Sequence, residues 1–213
     1  MALVKYNDRS LRNLTTVPAA VTNNPGAIVH IKTLTASSSS TLSFVDGSDS
    51  VVLDNTYPIY KFEFINIHPG TDNKKFQFQG NAAGGSDFNE TMTTTTFGAG
   101  HKESGGSDYF LQYVASADQA QGTSFQNLTC NSSLGADNDQ SFTGTLHLFN
   151  PSSTTFVKHF ISKINFSSSS NYTINDFISG YFNTTSAIDE IQFKMSSGNI
   201  DAGQIKLYGI KDS

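Results

Sequence analysis

The chain contains no tryptophan, one cysteine and five prolines, and only 15% of its 213 residues are charged. Each scarcity excludes something. A lone Cys130 cannot build an internal disulfide framework, and its expected place is as a small hydrophobe buried in a strand. No apolar run reaches the roughly 18 residues that a membrane-spanning helix needs. The basic N-terminus is not followed by an apolar stretch of about 7–15 residues, so it does not read as a secretory signal. With a formal net charge of −5 and a pI near 5.4, the chain is poorly suited to attracting nucleic-acid phosphates or anionic membranes; neither is expected as a partner. Glu, Arg and Met, which favour helices, are scarce as well.

What is present is aromatic volume: 17 Phe and eight Tyr, residues that favour strands. A chain of 213 residues is one large domain or a domain with an arm, and it can bury a real core. Residues 1–27 show no sustained period, contain Pro18 and the turn-like NNPG at 23–26, and read as an extended arm. Residues 28–213 read as the domain proper. There the runs AIVHIKTLTA, TLSFV, IYKFEFINIH, KKFQFQGNA, YFLQYVA, SFQNLTC, TGTLHLF, TTFVKHFISKINF, IDEIQFKM and GQIKLYGI often set apolar residues two apart, which is strand period. In IYKFEFINIH, Tyr60, Phe62 and Phe64 share one face and Lys61 and Glu63 the other.

Turn-rich segments such as HPGTDNKK, NAAGGSD, KESGGSD, LGADNDQ, FNPSS and MSSGNIDAG separate these runs. The two SSSS stretches, at 37–40 and 167–170, read as polar hairpin tips. About ten strands at such spacing, with no amphipathic helix, predict an all-β fold: an antiparallel two-sheet β-sandwich, jelly-roll-like, with an extended N-terminal arm.

Motifs for chemistry are thin. His30, His147 and His159 fall within strand runs and His68 and His101 at strand ends or in loops, with no nucleophile-elbow serine and no metal-ligand spacing among them. Asp137, Asn138 and Asp139 form only a fragment of a calcium loop and read as a turn closed by Asx bonds. Carboxylates are scattered through turns, so no pair for glycan hydrolysis stands out. Tyr109 and Tyr113 share one face of YFLQYVA, opposite Phe110, and suggest core or intersubunit packing. The seven N-x-[S/T] matches, from Asn13 to Asn183, are what an Asn/Ser/Thr-rich composition yields by chance. No catalytic residue, metal ligand or cofactor is expected.

The stretches MALVKYNDRSLRNLT, FNETMTTTTF, GTLHLFNPSSTTFVKHF and GYFNTTSAIDEIQFKMSSGNIDAGQIKLYGIK resemble a family of marine tailed-phage proteins, cyanophage- and pelagiphage-like, known as uncharacterised or virion structural proteins. The likeness spans essentially the whole chain. It implies a place in the virion, after synthesis in the bacterial host cytoplasm, without naming that place, and it supplies no catalytic residues; the compact sandwich with polar Ser/Thr loops and low charge reads as a module of the particle's outer surface. The opening segment then acquires a role. Leu3, Val4, Tyr6, Leu11 and Leu14 offer apolar area, interleaved with Lys5, Arg9 and Arg12, for docking on a major capsid protein or on a tail or neck protein. One such arm is a weak anchor, so a homo-oligomer, with a trimer favoured, is expected. The function implied is that of a capsid decoration or cement protein. A tail-fibre or receptor-binding protein is the alternative within the virion; a glycan-active enzyme and a free lectin-like domain are more remote.

Overall fold

A computed structural model describes residues 27–212. The residues expected to anchor the chain, Leu3, Val4, Lys5, Tyr6, Arg9, Leu11, Arg12 and Leu14, lie outside the described residues. The strands, in chain order, are β1 (Ile28–Thr35), β2 (Thr41–Val45), β3 (Ile59–Pro69), β4 (Phe76–Ala82), β5 (Met92–Lys102), β6 (Tyr109–Tyr113), β7 (Ala120–Gly122), β8 (Gln126–Asn127), β9 (Phe142–Phe149), β10 (Lys158–Ser167), β11 (Tyr172–Phe182), β12 (Ile188–Met195) and β13 (Ile200–Ile210). They form two antiparallel sheets. The large one runs β1-β13-β3-β9-β10-β11-β5-β6, with β7 also on β5, and the small one runs β2-β12-β4-β8.

The pairings are nested. β1 lies on β13, β2 on β12, β3 on β9 and β4 on β8, so the chain folds back on itself as a doubled ribbon whose successive pairs alternate between sheets. This is the jelly roll. Two insertions enlarge it: β5–β7 between β4 and β8, and β10–β11 between β9 and β12. They meet through β11 and β5, paired from Tyr172↔Lys102 to Phe182↔Met92, and so extend the large sheet by a wing that β4 and β8 of the small sheet cover only in part.

The core between the sheets is aromatic. Tyr60, Phe62 and Phe64 are buried along β3 as their spacing requires, while Lys61 pairs with Glu63 at 2.6 Å on the outer face. Phe64 packs edge-on against Phe76, Phe142 and Phe193, with centroids 5.3–5.7 Å apart; edge-to-face contacts of this kind are favourable beyond the area they bury.

Several expectations need correction. β5 and β11 are strands that periodicity passes over. SFQNLTC shrinks to the two residues of β8, because Phe76 N–H is accepted by the Thr129 hydroxyl (3.1 Å) where a ladder carbonyl would serve. Cys130 is buried but lies outside any strand. TTFVKHFISKINF becomes regular only at Lys158; before it, the Ser153 hydroxyl accepts the N–H groups of Thr155 and Phe156. In MSSGNIDAG, the IDAG portion belongs to β13, where the register shifts twice and Gly203 takes φ +111, a conformation that favours glycine. Of the two serine stretches, 167–170 is the β10–β11 hairpin tip, whereas 37–40 carries the chain from the large sheet to the small one.

Candidate functional site: a stapled cover and an exposed apolar row

The inner face of the wing is covered by the segment 114–135, which has little regular structure. Where it turns inward, at Gln126 and from Leu128 to Cys130, its backbone polar groups need partners. Side chains supply them. Asp176, fully buried on the inward face of β11, accepts Cys130 N–H (2.6 Å), Asn131 N–H (3.1 Å) and the Asn131 side-chain amide. Lys75 answers from the start of β4, donating to the carbonyls of Ser132 (2.6 Å) and Cys130 (3.2 Å). Buried Gln79 donates to Glu90, Thr123 and Ser124 carbonyls, and Gln126 to the Ala117 carbonyl. The cover is thus pinned by side-chain carboxylate, ammonium and amide groups.

Electrostatically the staple is constrained, not reactive. Burial pushes the Asp176 carboxyl up from its ordinary range, against the opposing pull of its N–H donors, and burial pulls the Lys75 ammonium down. The Cys130 thiol is pushed from 9.0 up to about 12, first by burial and then by the Asp176 charge, and its Sγ donates to the Asn127 carbonyl at 3.1 Å. A nucleophilic cysteine requires the opposite, a stabilised thiolate. Such a shift lowers the thiolate fraction at pH 8 roughly a thousandfold, so in the native protein Cys130 should react with a disulfide reagent orders of magnitude more slowly than in denaturant. Fast native labelling, followed by absorbance, would contradict this placement.

The wing's outer face is different. Cross-strand register lines up Tyr113, Phe97, Phe177 and Lys163 in one row, Leu111, Ala99, Asn175 and Asn165 in the next, and Tyr109, His101 and Thr173 in a third. Phe97 and Phe177 stack at 5.0 Å and 7°, and the Lys163 ammonium sits 5.6 Å from the Phe177 centroid. Tyr109, Leu111 and Tyr113 of β6 are 68%, 79% and 61% exposed, and Phe97 is 48% exposed. The tyrosines do share a face, and it is the wet one; Phe110 points inward over Gly100, where a Cβ would collide with its ring.

The histidines stay apart. His68 sits 3.9 Å from Asp201 and within 3.3 Å of the Asp137 carbonyl, His101 stacks on Tyr109, and His30 packs on Tyr208. His147, on β9, has its imidazole pulled down by burial and by Lys61. The Asp137–Asp139 turn is closed by Gln140, which donates its N–H to the Asp137 carbonyl and accepts Asp137 N–H on Oε1, and not by aspartate side chains. Among the described residues no group of three or more His, Cys, Asp or Glu side chains is placed to hold a metal. Five surface depressions hold at most one carboxylate each: Glu63 in that over Gly144, Asp212 beside Tyr57, Asp139 beside His68 and none in the other two. Comparison with protein-family models, curated proteins and solved structures gives no match.

Proposed function

We propose that the chain is a structural protein of a phage virion, and within that class a decoration or cement protein that attaches to the capsid shell through its N-terminal arm. Jelly rolls serve in capsid and lectin domains alike, so the fold does not make the choice. The reading rests on the resemblance of the quoted stretches to marine tailed-phage proteins. Two further features support it. Among the described residues, none of the five depressions described above is lined by two carboxylates of the kind glycan hydrolysis uses. Ala27, just before edge strand β1, accepts Lys211 N–H, just after β13, at 2.9 Å. Three cations against one acid among residues 1–26 make that segment basic beside an otherwise acidic chain.

A cement protein binds only the assembled shell and so stabilises that state by mass action. Particles lacking the protein should adsorb normally but release DNA sooner on heating. Deleting residues 1–14 should abolish incorporation into particles while leaving the melting temperature of the isolated protein unchanged. Normal incorporation of the truncated protein removes the arm from the reading. Particles with normal heat stability and lost adsorption would instead identify a tail-fibre or receptor-binding protein, whose purified excess should block infection.

A further inference from the structure

We propose that β6 is a self-association edge, through which two copies of this chain pair antiparallel about a two-fold axis at Leu111 and continue the large sheet from one protomer into the other.

The hydrogen-bond phase of β6 leaves the edge open. Val114 N–H reaches the Thr96 carbonyl and Lys102 N–H the Asp108 carbonyl, both at 2.9 Å. In an antiparallel pair, alternate residues turn both polar groups toward the neighbour and the residues between turn them away. Residues 108, 110, 112 and 114 therefore face β5, and Tyr109, Leu111 and Tyr113 present their backbones outward. Tyr109 N–H is partly occupied by the Ser107 carbonyl at 3.0 Å; among the described residues no strand pairs with the others.

Proteins normally blunt such edges with charge, proline or a bulge. β1, at the opposite end of the sheet, has a bulge between His30 and Lys32, and Lys32 pairs with Asp49. β2 lacks charge, but its apolar residues Leu42 and Phe44 are buried. β6, with the sequence YFLQY, has no charge, no proline and no register shift against β5, and it exposes three large side chains on the wet face. With Phe97, their exposed area is on the order of 500 Å², from about 150–250 Å² for a large side chain. That is near the most a monomer ordinarily leaves uncovered.

The occupant is chosen by symmetry. About Leu111 the strand is nearly palindromic, so antiparallel self-pairing sets Leu111 opposite Leu111 and Tyr109 opposite the partner subunit's Tyr113. Aromatic and aliphatic cross-strand pairs are favourable, and no like charges meet: Asp108 falls opposite the partner's Val114. A two-fold of this kind is isologous and closes at two copies; it does not build a three-fold assembly.

The register makes the test specific. In the full chain, Leu111→Cys should form an intermolecular disulfide on mild oxidation, because a directly opposed pair has Cα atoms about 5.5 Å apart. Tyr109→Cys alone and Tyr113→Cys alone should not, and the double variant should. Native Cys130 is buried, and the unsubstituted chain serves as the control. By sedimentation, the wild type should have twice the monomer mass at micromolar concentration, and Leu111→Lys, which opposes two ammonium groups, should lose the dimer with unchanged circular dichroism. If Leu111→Lys does not fold, the cysteine series decides. A monomeric wild type, a trimer, or equal cross-linking of all three single cysteines would each overturn the proposal.

Discussion

Phe64→Ala should destabilise the protein by about 3–5 kcal/mol, while Glu63→Ala, one residue away, should cost about 0.5 kcal/mol or less, both read from denaturant unfolding. Phe64 is 1% exposed and wedged among Phe76, Phe142 and Phe193. Its removal loses the transfer energy of a phenyl ring and leaves a cavity that three rigid rings on opposed sheets fill poorly. Glu63 points outward and is paired only with Lys61 in partly exposed surroundings, where ion pairs contribute little. Equal costs at the two positions would mean that β3 does not present alternate residues to core and solvent.

The second large effect is expected at Asp176. Asp176→Ala strands two backbone N–H groups and the Asn131 amide in a dry site, and each buried donor left without a partner costs about 1–3 kcal/mol; a total of about 3–5 kcal/mol is expected. Asp176→Asn should be far milder. Its carbonyl oxygen still accepts the Cys130 and Asn131 N–H groups, and the Asn131 amide meets the new NH₂ by turning over together with exposed Gln112, whose amide donates to Asn131 Oδ1 in the wild type. Because the carboxyl is raised in the folded protein, the folded state holds that proton more tightly than the unfolded chain does. Its stabilising effect is complete below the ordinary value of 3.8 and is lost as pH rises through the folded value. Wild type should therefore gain stability relative to Asp176→Asn as pH is lowered from neutral, a trend that urea unfolding at several pH values would display. A widening deficit at low pH would mean that the N–H donors, not burial, dominate.

The jelly-roll strands were legible because their inward positions are hydrophobes: Leu42 and Phe44 on β2, Phe76 and Phe78 on β4, Ile191 and Phe193 on β12. Along β5 the inward side is Met92, Thr94, Thr96, Gly98 and Gly100, and along β11 it is Ile174, Asp176, Ile178, Gly180 and Phe182. A pattern that counts hydrophobes does not see such strands. The small residues have a cause that is visible only in three dimensions: a Cβ on Gly98 would collide with the Asp176 carboxylate and the Asn131 amide. The staple was equally hidden, since nothing in INDF distinguishes an aspartate that caps a distant loop from one in a turn. For β6 the alternation of Tyr109, Leu111 and Tyr113 was plain, but a period of two says which residues share a face and not whether that face is dry.

The nesting of strand pairs has a consequence for how the chain acquires its structure. The outermost pair joins Ile28 to Ile210, so the first strand finds its hydrogen-bonding neighbour only when the last has been made. By contrast, β10 and β11 are joined by a tight hairpin and need close only a short loop. Topologies dominated by such distant pairings fold slowly, and emergence from the ribosome at about 5–20 residues per second leaves β1 without its neighbour until β13 has emerged. The hairpin of the wing is thus placed to form early and the edge at β1 to close last.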